Sequence, residues 1–113
     1  IGGTPYAGMW EGRDNIYGIL VPAVVSNFKE GSVKFAQKWS IMCVDEKRAT
    51  GLMSAKAETH DGRNLDMTYC HILKFNGSQI VEVHEFFDTA QGEKLFDNDK
   101  LNGNSGKLGI MNF

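Results

Sequence analysis

The sequence predicts an α+β domain in which a helix covers one face of a four-stranded antiparallel meander. Three observations lead there. One segment of helical period lies early in the chain, four strand-like segments follow it without interruption, and the pairs Asp61-Gly62 and Asn76-Gly77 separate the last three strands. Such pairs adopt the left-handed backbone that two-residue hairpin turns require. Strands joined by tight turns pair antiparallel. A helix kept apart from a run of strands packs on the sheet as a separate layer.

Taken in order, residues 1–12 contain Gly2, Gly3, Pro5, Gly8 and Gly12 and read as a loop. The opening IGGTPYAG resembles an interior loop more than a beginning. Asp14 can cap a helix over 13–28, where Ile16, Ile19, Leu20, Ala23 and Val24 recur at helical spacing. Pro22 should kink or shorten that helix, because it donates no backbone hydrogen bond. Strands are expected at 33–44, 48–60, 63–75 and 79–88, with Phe35, Trp39, Ile41 and Cys43 at alternate positions of the first. A short helix is expected between Thr89 and Phe96, which closes a domain over 1–96. Residues 97–113, polar and glycine-rich, read as a flexible tail.

The bulk properties exclude several classes of function. A chain of 113 residues with 42% apolar composition suits one domain with its own core. Twelve basic and fourteen acidic residues are interleaved, for a net charge of −2, and no basic stripe marks a nucleic-acid footprint. No apolar run approaches the roughly 20 residues that span a bilayer, and no secretory signal is present, so a cytoplasmic protein without a membrane partner is expected. Cys43 and Cys70 fall in strand segments with no paired spacing and are expected to be buried free thiols of a reducing compartment.

Alternation selects the candidate site, because every second side chain of a strand points to the same side. On 63–75 one face carries Leu65, Met67, Tyr69, His71, Leu73 and Phe75, and the other carries Asp66, Thr68, Cys70, Ile72 and Lys74. The first is the more apolar and should face the interior. On 79–88 the better core face is Val81, Val83, Glu85 and Phe87. The hairpin can therefore bring His71 and Glu85 together. An imidazole beside a carboxylate in an apolar setting suits acid–base chemistry, since burial raises a carboxyl's hold on its proton and the imidazole tunes it. The competing reading is a core histidine satisfied by a buried Glu. Lys56 and Glu58 share a face with Leu52 and Ser54 and lie either in solvent or at the pocket mouth. His60 falls in a turn and His84 on the outer face, so the three histidines show no metal-ligand spacing. Trp10 and Trp39 are expected as core or pocket wall.

The run GRNLDMTYCHILKFNGSQIVEVHEFFD resembles the C-terminal hairpin of the SnoaL-like and ketosteroid isomerase-like family, in the nuclear transport factor 2-like superfamily. The elements that carry the resemblance are Gly62-Arg63, Asn76-Gly77, Ile80-Val81 and Phe86-Phe87-Asp88, preceded by the loop IGGTPYAGMWEGRDNI. The resemblance spans residues 1–90. It implies a cone-shaped sheet wrapped around helices, and it places His71 where ketosteroid isomerases hold the protonated Asp of their oxyanion hole. Polyketide cyclases of this type carry a histidine there and an acid–base Asp where Glu85 stands. Limonene-epoxide hydrolases carry an Arg-x-Asp that Lys56-x-Glu58 echoes. The family's two N-terminal helices and first strand have no counterpart in this sequence, so steroid-type isomerisation does not follow from the residues present.

Two functions are therefore expected. In the first, His71, Glu85, Lys56 and Glu58 carry a cofactor-free acid–base reaction on a small apolar ligand: isomerisation, cyclisation or hydrolysis. Trp10, Trp39, Met67, Tyr69, Leu73, Val83 and Phe87 would line the pocket. In the second, the same fold binds a ligand or dimerises without chemistry. A homodimer through the sheet face is expected from the resemblance and from outward Ile72, Ile80 and Phe86.

Overall fold

The structure, a computed structural model, describes Thr4 and residues 6–96. The expectation of a flexible tail at 97–113 lies outside the described residues. The N-terminal helix is composite: α1 (Arg13–Asn15), a π-helical segment (Ile16–Leu20) and α2 (Val21–Val25) follow without a break. The Val21 N–H bonds to the Ile16 carbonyl, five residues back, immediately before Pro22. An α-register at Pro22 would press its ring against the Gly18 carbonyl with no N–H to bond it, and the wider π turn relieves that clash. Gly12, not Asp14, occupies the N-cap position, and Asp14 lies within the first turn. The helix stops at Val25, earlier than expected, where the Asn27 amide donates to the carbonyls of Ala23 and Val24 and closes the end.

The meander consists of β1 (Lys34–Val44), β2 (Arg48–Glu58), β3 (Asn64–Asn76) and β4 (Gln79–Phe86), paired antiparallel in the order β1-β2-β3-β4. Gly62 and Gly77 adopt φ of 86° and 60° in the two turns, the conformation for which glycine was expected there. The last helix, α3 (Thr89–Leu95), is capped by the Asp88 carboxylate, which accepts from the Gln91 N–H. The fold is thus α+β with a four-stranded antiparallel sheet.

β3 alternates as its sequence predicts: Leu65, Met67, Tyr69 and His71 are buried, while Asp66, Thr68 and Lys74 are exposed. Register carries that inner face across the sheet in rows. One row is Trp39, Met53 and Tyr69; the next is Ile41, Gly51, His71 and Glu85; the third is Val44, Ala49, Leu73 and Val83. The core occupies one end only, where Ala55, Ala57, Leu65, Met67 and Tyr69 pack against Tyr6, Phe28, Leu95 and Phe96. Tyr6 and Phe28 meet the Phe96 ring edge-on, with centroids 5.0 and 6.1 Å away. Gly92 lets α3 close on this cluster. A Cβ there would stand 3.0 Å from Phe87 and 3.1 Å from both Phe96 and Thr4.

β1 breaks its alternation twice, between Phe35 and Trp39 and between Ile41 and Cys43. Ala36 has a φ of 55°, a left-handed conformation that costs a residue with a Cβ roughly 1–2 kcal/mol. The second break puts Val44 on the inner face and Cys43 opposite Thr50 on the outer one. The expectation of two buried cysteines is therefore corrected: Cys43 is exposed and Cys70 half-buried, because β1 is an edge strand and no element among the described residues covers the outer face.

Candidate functional site

His71 and Glu85 are direct register partners on β3 and β4. Nε2 of His71 lies 2.7 Å from Oε2 of Glu85, with His71 9% exposed and the Glu85 side chain 44% exposed. An ionised carboxylate only accepts hydrogen bonds, so Nε2 carries the hydrogen and donates it to Glu85. No other described side chain bonds to that carboxylate.

Aromatic rings enclose the imidazole on two sides. Phe35 lies over it at 5.9 Å between centroids, inclined by 32°, and Tyr69 meets it edge-on at 6.3 Å. Tyr69 in turn contacts Phe35 at 5.5 Å and Phe87 at 5.3 Å. Burial, with a further push from the Glu85 charge, raises the Tyr69 hydroxyl to about 12, so it remains a neutral donor across the physiological range. Across the strand from His71 stands Gly51, and the Ile41 and Met53 side chains reach over the place its own side chain would take.

Met67, Tyr69, Leu73, Val83 and Phe87 lie on this inner face, as does Trp39, which is 67% exposed. Trp10 does not join them; it is half-buried in the N-terminal loop, where its Nε1 donates to the Tyr6 carbonyl. Lys56 and Glu58 fall on the opposite face, in the phase of Asp66 and Asn64. Lys56 pairs with Asp66 at 3.0 Å and Glu58 pairs with Lys29. Their inward neighbours Ala55 and Ala57 explain the phase, since small side chains let Phe28 and α3 approach the sheet. Neither Lys56 nor Glu58 is thus brought to His71 and Glu85. The outward set expected at a dimer contact is split too, because Ile80 pairs with inner-face Phe75 beyond an irregularity in β4.

Phe35 was not singled out from sequence as a site residue. Its ring reaches His71 only because of the irregularity at Ala36, and nothing in the local composition signals a bulge there. A groove of about 590 Å³ runs between Lys47, Lys74, Phe75, Asn76 and Val81, and one of about 320 Å³ between Asn27, Thr59, His60, Arg63 and Phe96. Neither includes His71 or Glu85, which stand on the open sheet face. Among the described residues no three His, Cys, Asp or Glu side chains are grouped to hold a metal ion, and no helix is long and apolar enough to cross a membrane. No family model, curated protein or solved structure matches this chain.

Proposed function

We propose that the inner face binds a compact apolar ligand and that Glu85, held by His71, moves a proton on it. The contact of 2.7 Å between Nε2 of His71 and Oε2 of Glu85, on an otherwise apolar face, carries this reading. With Oε2 engaged, Oε1 of Glu85 is left to take a ligand proton, and the imidazole fixes the direction in which the carboxylate points. The Tyr69 hydroxyl can steady a ligand oxygen as charge develops on it. Isomerisation, aldol-type cyclisation and hydrolysis all need such a step. They are also the reactions implied by the resemblance to SnoaL-like and ketosteroid isomerase-like proteins, whose nuclear transport factor 2-like fold is part of the same proposal. The helix-backed meander is compatible with that fold.

The test is deuterium uptake in D₂O by an apolar ketone with acidic α-protons, 1-indanone, followed by proton NMR. The wild-type chain should accelerate exchange over buffer, and Glu85→Gln should lower the catalysed rate by about 10²-fold or more. No acceleration, or acceleration that Glu85→Gln leaves intact, would sink the reading. A second reading, a ligand-binding or dimerising scaffold, draws support from the half-exposed Glu85 and from the exposed Trp39, Ile41 and Val44. Binding of 1-indanone at the inner face without exchange would select it.

A further inference from the structure

His71 is buried although Ile41 and Glu85 in the same row are exposed, and the ring that lies over it is Phe35. This cover does not follow from regular pairing. The Cα partner of Phe35 is Ala55, four residues along β2 from Gly51, the partner of His71. Between Phe35 and Trp39 the partner on β2 advances only from Ala55 to Met53, so β1 spends four steps where β2 spends two. The surplus lies at residues 36–38. Ala36 there has the only positive φ of any non-glycine residue described, and the Lys38 N–H donates to the Ser54 hydroxyl at 3.2 Å. Bulges of this kind re-aim side chains, and strained backbone persists where its surroundings enforce it. Here the bulge swings the Phe35 ring over the imidazole and against Tyr69 while leaving it 48% exposed.

We propose that Phe35 is a gate and selector for the His71–Glu85 site: its ring lifts from His71 to admit a flat, unsaturated ring of the ligand between itself and the imidazole. Two features favour a planar ligand. The space between Phe35 and the imidazole is a slot, since the two rings are inclined by only 32°. The surplus residues also let the ring swing out while β1 stays paired with β2 from Trp39 onward. The ligand class deepens the function proposed above and rests on that site being used. The gate itself does not depend on Glu85 accepting a proton.

The experiment compares two apolar ketones, planar 1-indanone and globular, saturated 2-adamantanone, titrated into the labelled chain and followed by NMR. Wild type should bind 1-indanone about three- to tenfold more tightly, the value of one aromatic contact, and Phe35→Ala should remove most of that preference. The same variant should shift the His71 imidazole protons downfield as the ring current above them is lost. Phe35→Leu keeps apolar bulk without a ring and should behave alike, which guards against a folding defect in the alanine variant. A preference retained in both variants, His71 protons that do not move, or absence of binding to wild type would each overturn the gate. In Glu85→Gln the planar preference should persist even where exchange is lost; its disappearance would count against the gate. Unchanged exchange in Glu85→Gln would instead defeat the proton-transfer reading while the gate stands.

Discussion

The two ends of the inner sheet face are built from the same strands and end in opposite conditions. Near the β2–β3 turn, Ala57, Leu65 and Met67 are buried beneath Phe28, Leu95 and Phe96. Near the other two turns, Val44 and Val83 are 73% and 50% exposed and no helix among the described residues reaches them. β3 turns apolar side chains inward at both ends, Leu65 and Met67 at one and Leu73 and Phe75 at the other, so the inner phase is not what differs. Reach is. The seven residues of α3 extend about 10 Å and the N-terminal helix about 20 Å, against roughly 43 Å for the thirteen residues of β3. A strand pattern states which side is apolar; helix length decides how much of that side leaves water.

The sharpest way to break this comparison is to truncate one residue at each end. Met67→Ala, at the covered end, should cost about 2–5 kcal/mol in chemical denaturation, and Val83→Ala at the open end under about 1 kcal/mol. Equal losses would mean that something covers the open end in solution. A smaller effect should come from adding bulk where α3 closes on the core. Gly92→Ala should destabilise by about 1–3 kcal/mol, because its Cβ would press on Phe87, Phe96 and Thr4; a neutral result would show that α3 can shift outward. The smallest effect concerns the boundary between the two ends, at Tyr69. An unfolded tyrosine ionises near 10 and this one at about 12, so the contribution of the buried hydroxyl is complete below pH 10 and is lost as pH rises towards 12. Stability of wild type should fall across that window more steeply than that of Tyr69→Phe. Parallel curves would place the hydroxyl in water.

Much of this arrangement was legible in the residues. The apolar phase of β3 and the two Gly-containing turns together put His71 and Glu85 on one hairpin face, and the register makes them partners. The phase of β2 was harder to read, because Ala55 and Ala57 are too small to advertise a core. Their value lies in how closely Phe28 and α3 can approach, which is a property of the assembled layers. The alternation of β1 was legible as far as Ile41. The second irregularity cancels the parity on which Cys43 was placed, while the one at Ala36 leaves Trp39 and Ile41 in phase and brings Phe35 to the site. Pro22 announced a disturbed helix, whereas the π register that resolves it depends on where the preceding carbonyls point.

The two margins of the sheet are unequal, and the inequality bears on self-association. Along β1 the irregularities and the turned backbone at Ala36 interrupt the even spacing that an incoming strand would need, and Lys34 and Lys38 add charge. β4 is even from Glu82 to Phe86. A sheet that can accept a strand on both margins can grow without end into a fibre, whereas one with a single receptive margin can only join another such margin and stop at two chains. The same kink that carries Phe35 to His71 thus also makes β1 the less receptive of the two margins.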